Sequence, residues 1–280
     1  MQLKNLKIKK LGVFLGISIV IVLFSENIGI FWDNVLNVSK IGTYLYHNGI
    51  FNWGTIPLII DNGHPPFLAT ISAISWSIFG RSLQTSHWMM LPFILGFLYQ
   101  LYNFISFFIK KEQMKVIAFI LVFCDPTLLS HFVLVNFEII QSFFFFLALN
   151  SILRNNSYLK LISLLFLGII SFRGMMLYAG LFIVDLLIFK VIKKQNVRYF
   201  ISKELFLTYL ISVLPALIYI IWRLNLKGWL ISHPLEIWGN ATEFYSFNDF
   251  LRTFVRNTLV LGFQFSDFGR IILLIFIILT

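Results

Sequence analysis

The chain has 280 residues, of which 59% are hydrophobic and only 12% are charged, and its net charge is +10. A soluble domain of this length would carry far more charge, so the composition indicates a polytopic membrane protein. The basic residues fall between apolar stretches, which argues against a nucleic-acid patch. A single cysteine, Cys124, excludes an intrachain disulfide and a CxxC metal or redox site.

The chain begins with a Lys-rich segment before the apolar run 11–31. No small-x-small cleavage site follows this run, so we predict an uncleaved first helix and not a signal peptide. Further apolar stretches of spanning length, roughly 17–25 residues, fall near 87–109, 114–134, 137–153, 158–173, 174–189 and 204–222. The expected fold class is therefore all-α, with about seven complete transmembrane helices.

A last apolar run, 271–279, has the length of half a span. Half a span is not stable in lipid, because every backbone polar group there needs an internal partner. We therefore expect a truncated eighth span, and we expect residues 1–280 to form one transmembrane domain in the N-terminal part of a longer protein.

The segment 67–79 is too short to cross a bilayer upright. We predict that it lies in the interface, within a first outer loop at 32–86 that holds the interfacial helices. Fourteen of the 22 basic residues then fall on the cytoplasmic side, as the positive-inside rule expects. They are Lys4, Lys7, Lys9, Lys10, Lys110, Lys111, Lys115, Arg154, Lys160, Lys190, Lys193, Lys194, Arg198 and Lys203.

On this topology nine acidic residues and all five histidines lie at the outer face. The acids are Glu26, Asp33, Asp61, Asp125, Glu138, Glu236, Glu243, Asp249 and Asp267. Only Glu112 and Glu204 fall inside. Asp185 lies within a span, and we expect it to pair with a nearby Lys. A second long outer segment, 223–270, is expected to be part loop and part amphipathic helix. The side of the membrane on which we expect the functional site is thus the extracytoplasmic one.

The most informative stretch is Asp61-Asn62-Gly63-His64-Pro65-Pro66-Phe67, in the first outer loop. Trp32-Asp33 lies upstream, where the first span ends. Polar groups beside the hydrocarbon layer are costly, so two carboxylates and a His at one interface indicate chemistry.

The order of these features resembles the GT-C membrane glycosyltransferases of family 39, which include protein O-mannosyltransferases and lipid A aminoarabinose transferases. The resemblance rests on Trp32-Asp33, a helix ending at Tyr46-His47-Asn48-Gly49, Gly63-His64-Pro65-Pro66, Phe79-Gly80 and an outer acid at Glu138. It covers most of the chain, although each motif is short.

The resemblance implies an enzyme that moves a sugar from a polyprenyl-phosphate donor to an acceptor hydroxyl at the outer face of the membrane, with inversion. Such an enzyme needs a base, cations for the departing phosphate and a groove open to the bilayer. The implied partners are the lipid-linked donor, membrane lipid and a protein, lipid or glycan acceptor, with no nucleic acid. No cofactor beyond a possible divalent cation is implied, and the implied location is a bacterial inner membrane with a cytoplasmic N-terminus.

Two residues are the candidate catalytic groups under this resemblance. Asp33 matches the family's essential acid in the first outer loop, as base or acceptor-orienting group, although it could equally be a helix N-cap. The family often has Asp-Glu at this point, whereas Asn34 follows here. Glu138 could position the acceptor or share a divalent cation with Asp33; otherwise it is an interfacial capping acid.

Four further residues are candidate substrate-binding groups. His64 stands where the aminoarabinose transferases have Lys, which suggests a phosphate or sugar contact, and Asp61 precedes it with one extra residue inserted. Arg173-Gly174 replaces a Lys-Gly that contacts the lipid phosphate in a relative. Arg256 is a further outer cation, together with Arg252 and Arg270. The alternatives are a turn for Asp61 and His64 and an interfacial anchor for Arg173.

Two other functions fit part of the pattern. A transporter or flippase of lipid-linked intermediates is disfavoured because no pair of Gly- or Pro-broken helices occupies corresponding halves of the chain. A non-catalytic membrane partner of a glycosylation complex remains open, because Asn34 replaces the second acid.

Overall fold

The computed structural model describes residues 2–30, 34–191, 203–230, 234–235 and 246–266, and all regular structure among them is helical. The predicted all-α class is confirmed to that extent. The helices are α1 Gln2–Ser25, α2 Ile41–Asn48, α3 Phe67–Phe79, α4 Leu83–Trp88, α5 Leu91–Phe108, α6 Glu112–Phe123, α7 Pro126–Phe132, α8 Phe137–Arg154, α9 Ser157–Ile170, α10 Phe172–Val191, α11 Lys203–Lys227 and α12 Phe247–Ser266. A π-helical turn, Val35–Lys40, leads into α2.

Three helical stretches in the described part of the chain are long and apolar enough to cross a membrane: Leu83–Phe108, Phe137–Arg154 and Leu205–Lys227. The bent pair of α6 and α7 would make a fourth if it forms one span. Other apolar helices are shorter, including α3 and α9. Helices of membrane-spanning type are therefore present, and the count of seven spans stays a prediction.

The stretch 114–134 differs from the single span that its composition predicts. The axes of α6 and α7 differ by 73° across a short break. Pro126 opens α7, and the Asp125 carboxylate caps it by accepting the Leu128 N–H at 3.0 Å. Because proline has no N–H and its ring clashes with the preceding turn, α6 cannot run straight through this point.

Residues with a positive φ end three helices where the sequence predicts helix ends. Gly49 (φ 110°) follows α2, Gly80 (φ 85°) follows α3 and Asn155 (φ 58°) follows α8. Glycine adopts this backbone region without steric cost, and Asn tolerates it better than most residues. Asn156 then accepts the Leu159 N–H and begins α9, so a tight turn lies between the predicted spans 137–153 and 158–173.

Polar contacts define two ends of the helix bundle. At one end Lys10 pairs with Glu112 at 2.6 Å, and Arg154 donates to the Asn103 carbonyl oxygen at 3.2 Å. At the other end Gln84 donates to Asn27 at 2.8 Å, as Trp88 does to Glu26 at 2.9 Å. Helix α5 connects the two ends, so Lys10 and Arg154 lie at the end of the bundle opposite Glu26, and the orientation of these ends in the membrane stays a prediction.

Helix α3 stays at the second of these ends. Just before it, the His64 ring contacts Phe172, in the first turn of α10. Near its far end Trp76 donates to Ser86 of α4, and α4 in turn contacts the end of α1. Because both ends of α3 lie at one end of the bundle, the helix does not cross it, and its placement in the membrane interface stays a prediction.

A buried ion pair joins three helices in the other half of the bundle. Lys160 of α9 contacts Asp185 of α10 at 2.9 Å, and both side chains are 5% exposed. The Tyr209 hydroxyl of α11 donates to the same carboxylate oxygen at 3.0 Å. The predicted pairing of Asp185 with a nearby Lys is confirmed.

Candidate functional site

Glu138 and Arg173 form a partly exposed ion pair at the end of the bundle where α3 lies. The Arg173 Nη1 is 3.3 Å from the Glu138 Oε1, and the two side chains are 66% and 29% exposed respectively. Glu138 lies in the first turn of α8 and Arg173 in the first turn of α10. The positive ends of two helix dipoles are therefore adjacent to a guanidinium, an arrangement that favours a bound anion.

Capping groups fix both helix starts. Asn136 accepts the Ile139 N–H at the start of α8, and its amide contacts His131. Ser171 accepts the Gly174 N–H at 3.1 Å at the start of α10. Because the Ser171 hydroxyl also exchanges hydrogen bonds with Gln141 of α8, the two helix starts are tied to each other.

Gly174 allows α10 to begin against α9. A Cβ at this position would lie 2.2 Å from the backbone oxygen of Leu167. No Cβ fits at that distance, so the close packing of α10 against α9 requires glycine at position 174. The close approach in turn fixes where Arg173 emerges.

His64 joins this pair through two aromatic rings. Its imidazole packs against Phe137 at 5.9 Å and Phe172 at 5.5 Å between ring centroids. These rings are the sequence neighbours of Glu138 and Arg173. Three of the predicted site residues, from three distant parts of the sequence, therefore converge at one end of the bundle. We refer to His64, Glu138 and Arg173 as the convergent cluster.

Asp61 is held in a buried ion pair. The Arg223 guanidinium contacts both carboxylate oxygens, at 3.0 and 3.3 Å, and Asp61 and Arg223 are each 3% exposed. The Lys227 Nζ lies 3.9 Å from the same carboxylate, which also accepts the Gly63 N–H at 3.0 Å. These contacts assign Asp61 a structural role here, and its substrate contact stays a prediction.

The last turns of α11 hold the rest of this loop as well. The Tyr219 hydroxyl donates to the Gly63 carbonyl oxygen at 3.1 Å, and Lys227 donates to the Ile56 carbonyl oxygen at 2.8 Å. The ring of Trp229 stacks on the Arg223 guanidinium at 4.2 Å. The turn that carries His64 is thus anchored to α11.

Tyr219, Arg223 and Lys227 are not among the predicted site residues, because Tyr219 lies within the predicted span 204–222 and the two cations follow its end. The spacing of these three residues in the sequence indicates that they belong together. The three residues recur every fourth position, which places them on one face at the end of an apolar helix. A Tyr and two cations in that position predict a partner for an outer acid.

An apolar groove of about 650 Å³ runs along α10 from Met175. It lies between α10 and α11 on the surface of α9, and its lining includes Met175, Tyr178, Phe182, Leu186, Tyr209 and Leu217. The lining starts at Met175, two residues after Arg173. Between Met175 and Leu186 it follows α10 for about 16 Å at 1.5 Å per residue.

The remaining predicted residues are not joined to the convergent cluster. Asp33 and Arg270 lie outside the described residues. Arg256 is an exposed residue of α12, and no contact among the described residues links it to Glu138 or Arg173. In the part of the chain that is described, no three His, Cys, Asp or Glu side chains come together, so a cation shared with Asp33 stays a prediction.

Searches against protein-family models, curated proteins and solved structures yield no match to this chain. The fold defines the class as an all-helical protein with helices of membrane-spanning type. The resemblance to glycosyltransferases therefore stays an expectation that rests on the sequence motifs.

Proposed function

We propose that this protein is a membrane glycosyltransferase that moves a sugar from a polyprenyl-phosphate donor to an acceptor hydroxyl at the extracytoplasmic face, with inversion. The observation that carries the proposal is the convergence of His64, Glu138 and Arg173 at one end of the bundle, at the same end of α10 as the start of an apolar groove. This combination suits an amphiphile with an anionic head and a long apolar tail.

Arg173 is the proposed ligand of the donor phosphate. Its contact with Glu138 is a 3.3 Å hydrogen bond through Nη1, and most of its side chain is exposed. A guanidinium can offer two parallel N–H donors to phosphate, and helix starts add favourable partial charge. His64 would supply a second contact, to the phosphate or the sugar.

The groove is the proposed site for the part of the isoprenoid tail nearest the phosphate. It is lined almost wholly by apolar side chains, and its start at Met175 is two residues along α10 from Arg173. Its length of about 16 Å along α10 covers roughly half of a 30 Å hydrocarbon core. A bound donor would thus keep its phosphate at the interface and its tail in the apolar layer.

The proposed transfer has one bond forming and one breaking at the anomeric carbon. The acceptor oxygen attacks this carbon while its proton passes to a carboxylate, for which Asp33 is the candidate. The bond from the anomeric carbon to the phosphate oxygen breaks, and its electron pair leaves with the polyprenyl phosphate. Attack opposite to the leaving group inverts the configuration, and Glu138 would orient the acceptor.

The proposal is tested with the full chain reconstituted in nanodiscs. Polyprenyl-phosphate-linked mannose and aminoarabinose are each supplied with hydroxyl acceptors, and donor consumption is followed by mass spectrometry. Consumption by the wild type that falls in Arg173→Ala but not in Arg154→Ala, at the opposite end of the bundle, would support the proposal. Equal donor loss in protein-free nanodiscs would oppose it.

One observation favours a transporter of lipid-linked intermediates as the second candidate. The buried Lys160–Asp185 pair adjoins the groove through Tyr209, and ionisable residues at membrane depth often mark transport paths. Movement of a fluorescent lipid-linked sugar between leaflets of proteoliposomes, without sugar transfer, would select this candidate.

A further inference from the structure

Helix α12, Phe247–Ser266, carries an apolar face that is exposed. Six large apolar side chains between 247 and 259 are each at least 46% exposed: Phe247, Phe250, Leu251, Phe254, Val255 and Leu259. The most exposed is Phe247, at 76%. A helix of this kind is unfavourable in water unless its apolar face is covered.

The helix has a well-defined start. Ser246 precedes it, and its hydroxyl accepts the Asp249 N–H at 3.1 Å while donating to the Asp249 carboxylate at 2.8 Å. The first of these bonds satisfies one backbone donor that the first turn leaves open. The exposed face therefore belongs to a formed helix and not to an irregular loop.

The apolar and charged residues of α12 separate onto opposite faces. Phe247, Phe250, Leu251 and Phe254 follow the spacing of one helical face. Asp249, Arg252 and Arg256 lie on the other side, with the two arginines four positions apart and both exposed. A long arginine side chain can reach a phosphate beside the apolar layer while its stem stays in apolar surroundings.

We propose that α12 lies flat on the membrane, with its Phe-rich face in the acyl boundary and with Arg252 and Arg256 on the phosphates of anionic lipids. The argument is charge complementarity. The two cations lie on the polar side of a helix whose apolar face is exposed, and bilayer lipid offers phosphate directly beside hydrocarbon. Arg256 then serves bulk lipid and not the donor. The proposal is independent of sugar transfer.

The test uses the full chain in nanodiscs, with Cys124→Ser removing the native thiol. An environment-sensitive fluorophore is attached at Phe254→Cys, on the apolar face, or at Thr253→Cys, on the polar side. Lipids carrying a nitroxide on the acyl chain then report contact with hydrocarbon. We expect strong quenching at position 254 and weak quenching at position 253.

The charge is tested by adding Arg252→Gln and Arg256→Gln to the Phe254→Cys chain. A basic residue near an anionic surface contributes roughly 1 kcal/mol to membrane binding. Losing two should therefore lower the ratio of membrane-inserted α12 to water-exposed α12 about 30-fold. The change should appear in anionic nanodiscs and be small in zwitterionic ones. Arg154→Gln, on α8, is the matched control and should leave the quenching unchanged.

Three results would overturn the proposal. A water-exposed label at position 254 would show that the face is not in lipid. A buried label that lipid nitroxides do not quench would show that protein covers it. Quenching that is equal in anionic and zwitterionic nanodiscs, with and without the two arginines, would remove the role of charge.

Discussion

The guanidinium of Arg223 contacts both oxygens of the Asp61 carboxylate, although the two residues are 162 positions apart. Both side chains are buried. This pair fastens the first-loop turn to the last turns of α11, and Gly63, at the centre of that turn, is held by Tyr219 as well. The position of His64 therefore depends on a helix that begins more than a hundred residues later.

Arg223→Leu should strongly destabilise the fold. Removing Arg223 leaves the buried Asp61 carboxylate with only the more distant ammonium of Lys227, at 3.9 Å, and breaking a buried pair typically costs roughly 3–5 kcal/mol. Denaturant titration in detergent, followed by circular dichroism, measures the change in the free energy of unfolding. Arg154→Leu, at an exposed site, should stay within about 0.5 kcal/mol of the wild type.

The double variant Asp61→Leu/Arg223→Leu separates a lost ion pair from lost packing. It should recover much of the stability, because neither charge is then left buried alone. If Arg223→Leu alone matches Arg154→Leu in stability, the pair does not anchor the turn.

Gly174→Ala should disturb the start of α10. The added Cβ would meet the Leu167 backbone oxygen at 2.2 Å, and overpacking of this kind costs about 1–3 kcal/mol. Gly180→Ala in the same helix is the matched control, since nothing lies within 4 Å of its Cβ. It should be neutral or stabilise by up to about 1 kcal/mol through helix propensity. Equal thermal unfolding of the two variants would contradict the close approach of α10 to α9.

Arg154 and Arg173 should be reached from opposite sides of the membrane. They lie at opposite ends of the bundle, and the positive-inside rule places Arg154 in the cytoplasm. In a Cys124→Ser chain, a membrane-impermeant thiol reagent added to intact cells should label Arg173→Cys and not Arg154→Cys. Labelling of both from one side would refute the bundle topology, and a reversed pattern would refute its orientation.

Asp33→Asn should abolish most sugar transfer while leaving expression normal. The amide keeps the shape and any capping contact but cannot accept the acceptor proton, and general-base contributions are roughly 10²–10⁴-fold. Turnover in nanodiscs measures the effect. Asp249→Asn, on α12, should leave turnover unchanged, and near-normal turnover by Asp33→Asn would remove the catalytic assignment.

Arg173→Ala should weaken donor use far more than acceptor use. A hydrogen bond to a charged group contributes roughly 1.5–3 kcal/mol, or about 10- to 150-fold in apparent donor affinity. Arg173→Lys should keep part of the function, because it retains the charge but loses the forked geometry. If apparent donor affinity is unchanged in Arg173→Ala, this residue is an interfacial anchor only.

Local signals in the sequence predicted the parts of this molecule that local chemistry determines. Gly49, Gly80 and Asn155 end helices where predicted, because their backbone freedom acts within a few residues. The Asp185 pairing was also foreseeable, since a carboxylate in an apolar span needs a cation nearby.

Long-range contacts were harder to predict. Arg223 follows an apolar run and resembles an ordinary interfacial cation, so nothing within its own segment points to Asp61. The bend between α6 and α7 was missed for another reason. Asp125 and Pro126 begin α7, but hydropathy summed over 114–134 does not record a change of direction.

The Lys160–Asp185 pair has a consequence for how the chain enters a bilayer. Helix α9 alone would carry an uncompensated ammonium, and α10 alone an uncompensated carboxylate. A lone charge costs roughly 2.5–3.5 kcal/mol at the centre of an inserting helix and less near its end, where Lys160 lies. The two helices are joined by one residue, Ser171, so they can leave the translocon as a hairpin in which each charge neutralises the other. Insertion of this part of the protein is then a paired event, in which α10 must be synthesised before α9 is released to lipid.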